Sequence, residues 1–232
     1  MAPKSLIHLA DGSVKDDIDR LCRSTLIRES KDIPIVYIVQ PPEMKRCWLS
    51  LYKQLLKGLE TATTDYVGIC EQDVLYSNEH LEWIPPTDDA FYYNVNTWFY
   101  QYSSKNHPEC DGMYSFWANR LALSQLVCNR QLLKKSVTDR LNFLEKDVAL
   151  EGEFGALVHK LKKRAEDGSS AYLKAMDKYI DDQPPYKTFK TKIPNVDIRH
   201  GDNFTGARRG NKRRFEIPYW GKLKESLWLQ QQ

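Results

Sequence analysis

Glu71-Gln72-Asp73 sets two carboxylates one residue apart, directly after the apolar run Tyr66-Val67-Gly68-Ile69-Cys70. If that run is a strand, the triplet stands at its carboxyl end, which is where open α/β sheets bind ligands. Acidic residues delivered there are candidates for chemistry, although such a triplet is also met as a solvated strand end. A second candidate lies far downstream, in Asp197-Ile198-Arg199-His200-Gly201-Asp202-Asn203. His200 follows an alternating strand, Val196 to Arg199, and precedes a glycine turn that lets its imidazole reach back toward a metal or a phosphate; the ordinary role of a lone histidine is structural or superficial. The third loaded stretch is cationic. Between Arg199 and Lys224, eight basic residues stand against Asp202 and Glu216 alone, interleaved with Phe204, Phe215, Tyr219 and Trp220 and with Gly206 and Gly210. Arg208, Arg209, Lys212, Arg213 and Arg214 with Trp220 supply the mixture of phosphate contacts and stacking surfaces that nucleic-acid binders use. A subset of the same cations gripping a diphosphate is the alternative.

These residues need a scaffold, and 232 residues suffice for one α/β domain with a sizeable core. Hydrophobic residues at 41% and charged residues at 28% indicate a folded chain rather than a disordered one. The net charge of +3 hides an asymmetry, because residues 1–159 sum to −5 and residues 160–232 to +8. The basic terminal third points to a polyanionic ligand or to a solvated charged surface. Five cysteines, at least 18 residues apart and without a C-x-x-C pair, fit reduced core thiols better than a zinc site or a disulfide framework. Mean hydropathy is −0.60, no apolar run approaches the roughly 20 residues that cross a bilayer, and Met1-Ala2-Pro3-Lys4-Ser5 lacks a secretory core, so a cytoplasmic protein is expected. Dinucleotide-binding G-x-G-x-x-G, P-loop and serine nucleophile-elbow motifs are absent, which counts against dehydrogenase, kinase and hydrolase activities. No obligate protein partner can be inferred.

The first half alternates short apolar runs with amphipathic stretches, as parallel strands with helical crossovers do. A strand is expected at Leu6 to Leu9, closed by Ala10-Asp11-Gly12-Ser13, and a helix over 14–28. Ile35 to Val39 reads as a second strand stopped by Pro41-Pro42, followed by a helix over 44–61 and the third strand at Tyr66 to Cys70. Ala90 to Tyr100 reads as one long strand or a hairpin arm, 121–135 as a strand and helix, and 137–181 as mainly helical. Loops and short strands are expected from Gln183 onward.

Thr63 to Tyr76 resembles the strand that carries the D-x-D motif of nucleotide-sugar glycosyltransferases with the GT-A fold. The preceding Gly58-Leu59-Glu60-Thr61-Ala62, leading into Asp65-Tyr66-Val67, adds to the likeness. The resemblance spans residues 5–205 and implies a Rossmann-like mixed α/β sheet flanked by helices, with a basic C-terminal extension: a GT-A domain over 1–205 and a basic arm over 206–232. It implies Mn²⁺ or Mg²⁺ clamping the diphosphate of a nucleotide sugar, a UDP-sugar, as it leaves. Asp73 would be the direct metal ligand and His200 would complete the metal shell. Glu71, replacing the usual first Asp, would touch the ribose or a metal-bound water, with Gln72 beside it in the donor site. Asp11 would contact base or ribose, though Asp-Gly is equally a good turn. Gly112, in Cys110-Asp111-Gly112-Met113-Tyr114, would belong to a donor-side glycine loop. Glu153, with Glu151 in the same Glu-Gly-Glu, would take the proton from the acceptor hydroxyl, the alternative being an exposed helix-end glutamate.

Size, charge and the lack of a membrane signal make the chain similar to the enzymes with which bacteriophages glycosylate hydroxymethylated pyrimidines in their own double-stranded DNA. That likeness would place it in the host cytoplasm. A saccharide or lipid-linked glycan is the alternative acceptor, and a non-catalytic GT-A-like module that binds nucleic acid is the reading from another class.

Overall fold

The computed structural model describes residues 4–102, 110–116, 118–144, 183–200 and 212–223. Its architecture is mixed α/β, with two sheets and flanking helices. In the first, β1 (Lys4–Ala10) lies between β2 (Ile35–Val39) and β3 (Tyr66–Glu71), parallel to both. Helices α1 (Asp16–Ser30) and α2 (Trp48–Thr61) make the two crossovers. Residue alternation along β1 sends Ile7 and Leu9 to one face, where they meet Tyr52, Leu55 and Leu59 of α2. Leu6 points the other way, to Leu26 of α1 and to Cys70. The two helices therefore cover opposite faces, and both faces of β1 are buried, with its polar residues Lys4, Ser5 and His8 included.

After β4 (Val74–Leu75), α3 (Asn78–Glu82), β5 (Phe91–Asn94), β6 (Thr97–Gln101), β7 (Tyr114–Phe116), β8 (Leu126–Asn129) and α4 (Arg130–Leu144), the described chain ends with β9 (Tyr186–Phe189), β10 (Asn195–Arg199) and β11 (Lys212–Arg214). The first-half expectation of parallel strands joined by helical crossovers holds for β1, β2 and β3; β5 and β6 also pair in parallel, but with the distant β9 and β10. Strand β8 inserts antiparallel between β3 and β5, giving the order β2-β1-β3-β8-β5-β9. The second sheet runs β11-β7-β6-β10-β4.

Ala90 to Tyr100 is neither one strand nor a hairpin arm. It divides at Val95-Asn96, with β5 in the first sheet and β6 in the second. Asparagines make the corner: Asn94 accepts from the Asn96 amide at 3.0 Å and donates to the Thr191 hydroxyl at 3.0 Å, while Asn96 donates to the Thr191 carbonyl at 2.9 Å. Backbone polar groups buried at the break thus find side-chain partners. The chain makes the same change of sheet at Gln72-Asp73, between β3 and β4. Helix α2 begins at Trp48 rather than 44, and the freed residues form a loop in which the Met44 amide bonds the Pro41 carbonyl at 3.0 Å. The five cysteines are free thiols, as expected. Beyond Leu144 the helical expectation for 137–181 lies outside the described residues. So does the junction expected at 205–206, but β11 pairs with β7, and Ile217 and Leu223 join the second core.

Two glycines admit close packing. A Cβ on Gly58 would stand 2.4 Å from Ile7 Cγ2, so this residue lets α2 sit directly on β1. Gly68 makes room for the Lys4 stem, whose ammonium reaches the carbonyls of His80, Leu81 and Trp83 at 3.3, 2.7 and 2.9 Å and caps the C-terminal end of α3.

Gly58→Ala gains about 1 kcal/mol of helix propensity but overpacks a site where 1–3 kcal/mol is the usual cost, roughly. We expect a net loss that lowers Tm by about 2–6 °C. In an Ile7→Ala background, which deletes the clashing methyl, the same change should be neutral or stabilising. A rise in Tm on Gly58→Ala alone would overturn this account of the helix–strand contact.

Candidate functional site

Strand order reverses around β1, since the chain goes from β1 to β2 on one side and then back across to β3 on the other. At such a switch point the carboxyl ends of the strands diverge and leave a crevice. A cleft of about 780 Å³, counting the part open to solvent, opens there. Leu9, Ala10 and Asp11 come to it from β1, Gln40 from the end of β2, and Glu71, Gln72 and Asp73 from the end of β3. Arg46, Cys47 and Trp48 approach from the loop and first turn of α2, and Asp197 and Arg199 from β10.

Asp11 ties three of these segments together. Its Oδ1 accepts from the Ser13 amide at 3.0 Å and the Ser13 hydroxyl at 2.6 Å, and from the Gln72 amide, while Oδ2 pairs with Arg46. Burial would raise this carboxyl, but Ser13, Arg46 and Gln72 together hold it below the usual aspartate range. Gln72 is thereby used to fix the acidic turn to the end of β1. The turn is held again at the backbone, where the Glu71 amide donates to the buried Tyr76 hydroxyl at 2.9 Å.

Asp73 and His200, 127 positions apart in sequence, meet in space. Asp73 Oδ2 lies 3.7 Å from His200 Nε2, with the imidazole fully buried and the carboxylate 16% exposed. The contact follows from β4 pairing with β10 and from the Ile198 amide donating to the Asp73 carbonyl at 2.8 Å. Along β10, Val196 and Ile198 fill the second core, so Asp197 and Arg199 face the other way. Arg120 Nη1 donates to Asp197 Oδ2 at 2.5 Å, and Arg199 Nε lies in ion-pair contact with Oδ1 at 3.3 Å. Both guanidinium groups also lie over the Phe99 ring, 4.7 and 5.0 Å from its centroid. Burial alone would raise Asp197, yet Arg199, Arg120 and His200 outweigh it and keep the carboxyl ionised below its usual range.

Among the described residues, no three His, Cys, Asp or Glu side chains are grouped to hold a metal ion. Asp73 and His200 supply two donors. That number fits a hard divalent cation of the Mg²⁺ or Mn²⁺ kind, which uses one or two protein ligands and completes its shell with substrate oxygens and water. The arginines on β10 and at 120 add positive charge for an anionic ligand next to this pair.

The sequence reading thus brings Asp11, Glu71, Gln72, Asp73 and His200 to one end of the sheet. Gly112 is elsewhere: it sits at φ 79° in the turn between β6 and β7, with its amide on the Gln101 carbonyl at 2.6 Å, and does not line the cleft. Lys212, Arg213 and Arg214 form the exposed edge strand β11. Trp220 is half-buried, donates from its indole to the Pro194 carbonyl at 2.7 Å and packs on the second core, while Phe215 and Tyr219 are exposed. Glu151, Glu153, Arg208 and Arg209 lie outside the described residues. Asp197, Arg120 and Arg46 were not singled out from sequence. Asp197 and Arg199 at i and i+2 in an apolar strand were a legible signal, whereas Arg46 fell inside the helix expected from 44, and nothing local marks Arg120.

No family model and no curated protein matches the chain. Among solved structures, a glycosyltransferase involved in glycosylation of the major capsid of PBCV-1 superposes with a TM-score of 0.45 at 9% identity, covering 83% of this chain and 92% of that one. A Drosophila β1,4-galactosyltransferase 7 variant in complex with manganese, UDP-Gal and xylobiose superposes with a TM-score of 0.33 at 13% identity, covering 58% of this chain and 52% of that one.

Removing one partner of a buried ion pair costs about 3–5 kcal/mol. Asp197→Ala should therefore lower the urea midpoint by that equivalent at unchanged m-value, and more than Asp73→Ala does. A midpoint for Asp197→Ala equal to that of the wild type would mean that the Arg120–Asp197–Arg199 cluster contributes nothing to the fold.

Proposed function

We propose that the chain transfers a sugar from a nucleotide-sugar donor to an acceptor hydroxyl, with Mn²⁺ or Mg²⁺ held by Asp73 and His200. The observation that carries this reading is the approach of the buried His200 to Asp73, which lines the cleft at the carboxyl ends of β1, β2 and β3. A bound divalent ion would stabilise the charge that builds on a diphosphate leaving group. Around it, Asp11 holds the Gln72 side chain and so fixes the direction in which the turn offers Asp73. Glu71 stands at the same end for the ribose or an ion-bound water, and Arg120 and Arg199 face the region where phosphate charge would lie.

In the transfer, the bond between the anomeric carbon and the diphosphate oxygen breaks, a bond to the acceptor oxygen forms, and the acceptor proton passes to a carboxylate. We assign that base to Glu153, with Glu151 beside it. The acceptor we favour is a hydroxymethylated pyrimidine in duplex DNA, with the basic segment tracking its backbone. Its support is the exposure of Lys212, Arg213 and Arg214 together with the exposed rings of Phe215 and Tyr219.

Asp73→Ala should abolish sugar transfer, measured by release of nucleoside diphosphate, while leaving the circular dichroism spectrum unchanged. His200→Ala should weaken Mn²⁺-dependent donor binding, with partial recovery at high Mn²⁺. Full turnover in the Asp73 variant, or donor affinity in the His200 variant identical at every metal concentration, would sink the mechanism.

Arg213→Ala combined with Arg214→Ala separates the acceptors. If these residues meet DNA phosphates, the slope of log affinity against log salt should flatten by about 1 to 2 units, with donor hydrolysis unchanged. Wild-type affinity for modified duplex DNA across the salt series would dismiss DNA as acceptor and leave the glycan.

A further inference from the structure

The part of the cleft farthest along α2 contains a hydrogen-bond chain that the preceding reading leaves unused. Gln40, immediately after β2, is fixed at its backbone by an amide bond to the Ala10 carbonyl at 2.8 Å. Its side-chain amide donates to the Met44 carbonyl at 2.7 Å. A carbonyl only accepts, so the Gln40 nitrogen must face Met44 and its oxygen must face the other way. There it accepts from Gln54 Nε2 at 2.8 Å, and the same nitrogen lies 3.3 Å from the Ser50 carbonyl. The direction of each amide is thus dictated by backbone carbonyls at both ends of the chain.

One group is left over. Gln54 Oε1 is buried and accepts no hydrogen bond, on a residue that is 6% exposed and lines the cleft. A buried acceptor without a donor costs about 1–3 kcal/mol, and flipping the amide to relieve it would set two oxygens against each other at Gln40. The fold therefore leaves an unsatisfied acceptor on a residue that lines this wall of the cleft. Leu51, one turn earlier on the helix, and Trp48, at its start, line the same cleft and give it an apolar, flat-sided character suited to a ring. Asp73 and the arginines lie at the β3 and β10 end of the same cleft, so a ligand with a planar N–H-bearing ring at one end and phosphates at the other would span it.

We infer that Gln54 reads the nucleobase: its Oε1 accepts a ring N–H of the donor nucleotide while the ring lies against Trp48. This rests on the nucleotide-sugar reading and narrows it to bases that offer a ring N–H, uracil or thymine N3–H or guanine N1–H, because the Gln54 oxygen can only accept.

The test uses the full-length protein and nucleotides in which only that hydrogen is replaced. Binding of UDP and GDP, each with Mn²⁺, is compared by calorimetry with binding of N3-methyl-UDP and N1-methyl-GDP. For the base that binds, methylation should weaken affinity about 10-fold or more. In Gln54→Met, which cannot accept the bond, the parent nucleotide should weaken to a similar degree and the penalty for methylation should shrink to that of the methyl group's bulk. If Gln54→Met does not fold, the wild-type comparison alone decides. UDP or GDP binding that is indifferent to methylation would overturn the role of Gln54 and leave the glycosyltransferase reading standing. Failure of UDP, dTDP and GDP alike to bind at millimolar concentration would overturn the inference, and the nucleotide-sugar reading falls with it only if CDP and ADP also fail.

Discussion

The molecule depends on a short antiparallel contact: β4, two residues long, pairs with β10 at Val74 and Leu75, and the Ile198 amide closes on the Asp73 carbonyl. β4 belongs to the second sheet and follows β3 of the first after only Gln72 and Asp73, so this pairing sets how the acidic turn meets β10. If the pairing slipped by one residue, alternation would turn Asp197 and Arg199 into the second core and Val196 and Ile198 toward the cleft. Buried polar bonds guard against this. Asn195 accepts from the Ser77 amide at 2.9 Å and donates to Gln125 at 2.7 Å, which specifies the start of β10 side chain by side chain.

A cleft built this way concentrates ionic groups where burial is expensive. The protein meets that cost by sharing: one aspartate serves two arginines, one phenylalanine ring lies under both, and Asp11 serves Ser13, Gln72 and Arg46 at once. Such clusters are weak sources of stability, because their Coulombic gain mostly repays desolvation. Their presence at the cleft end of the sheet, rather than an apolar packing of similar volume, is what the proposed binding of a negatively charged donor would require.

Much of the first sheet was legible because its signals are local. β2 and β3 follow from β-branched runs with proline or polar stops, and β1 from a short apolar run before Asp-Gly. The ends of α2 were less so: Trp48 begins the helix because Cys47 and Ser50 cap it, a pairing that propensity alone does not reveal. Asp73 and His200 were each recognisable from context, but their proximity is a property of β10's parallel partnership with β6 and antiparallel partnership with β4. Sheet membership of β5 and β6 escaped for a related reason, since an asparagine corner and a turn within one sheet carry the same residue types. Gln54 was invisible, because an amphipathic helix with Leu51, Leu55 and Leu59 explains itself without it.

The two changes of sheet also set an order of assembly. Strands β1, β2 and β3 and the two crossover helices find each other within the first third of the chain, by contacts of modest sequence separation. β10 must return from Val196 to Leu75 and from Asn195 to Thr97, closing loops that are entropically costly and kinetically late. During synthesis the N-terminal unit can therefore be packed while the acidic turn still lacks its histidine, and the cleft gains its charges from β10 only once the residues through 200 have left the ribosome.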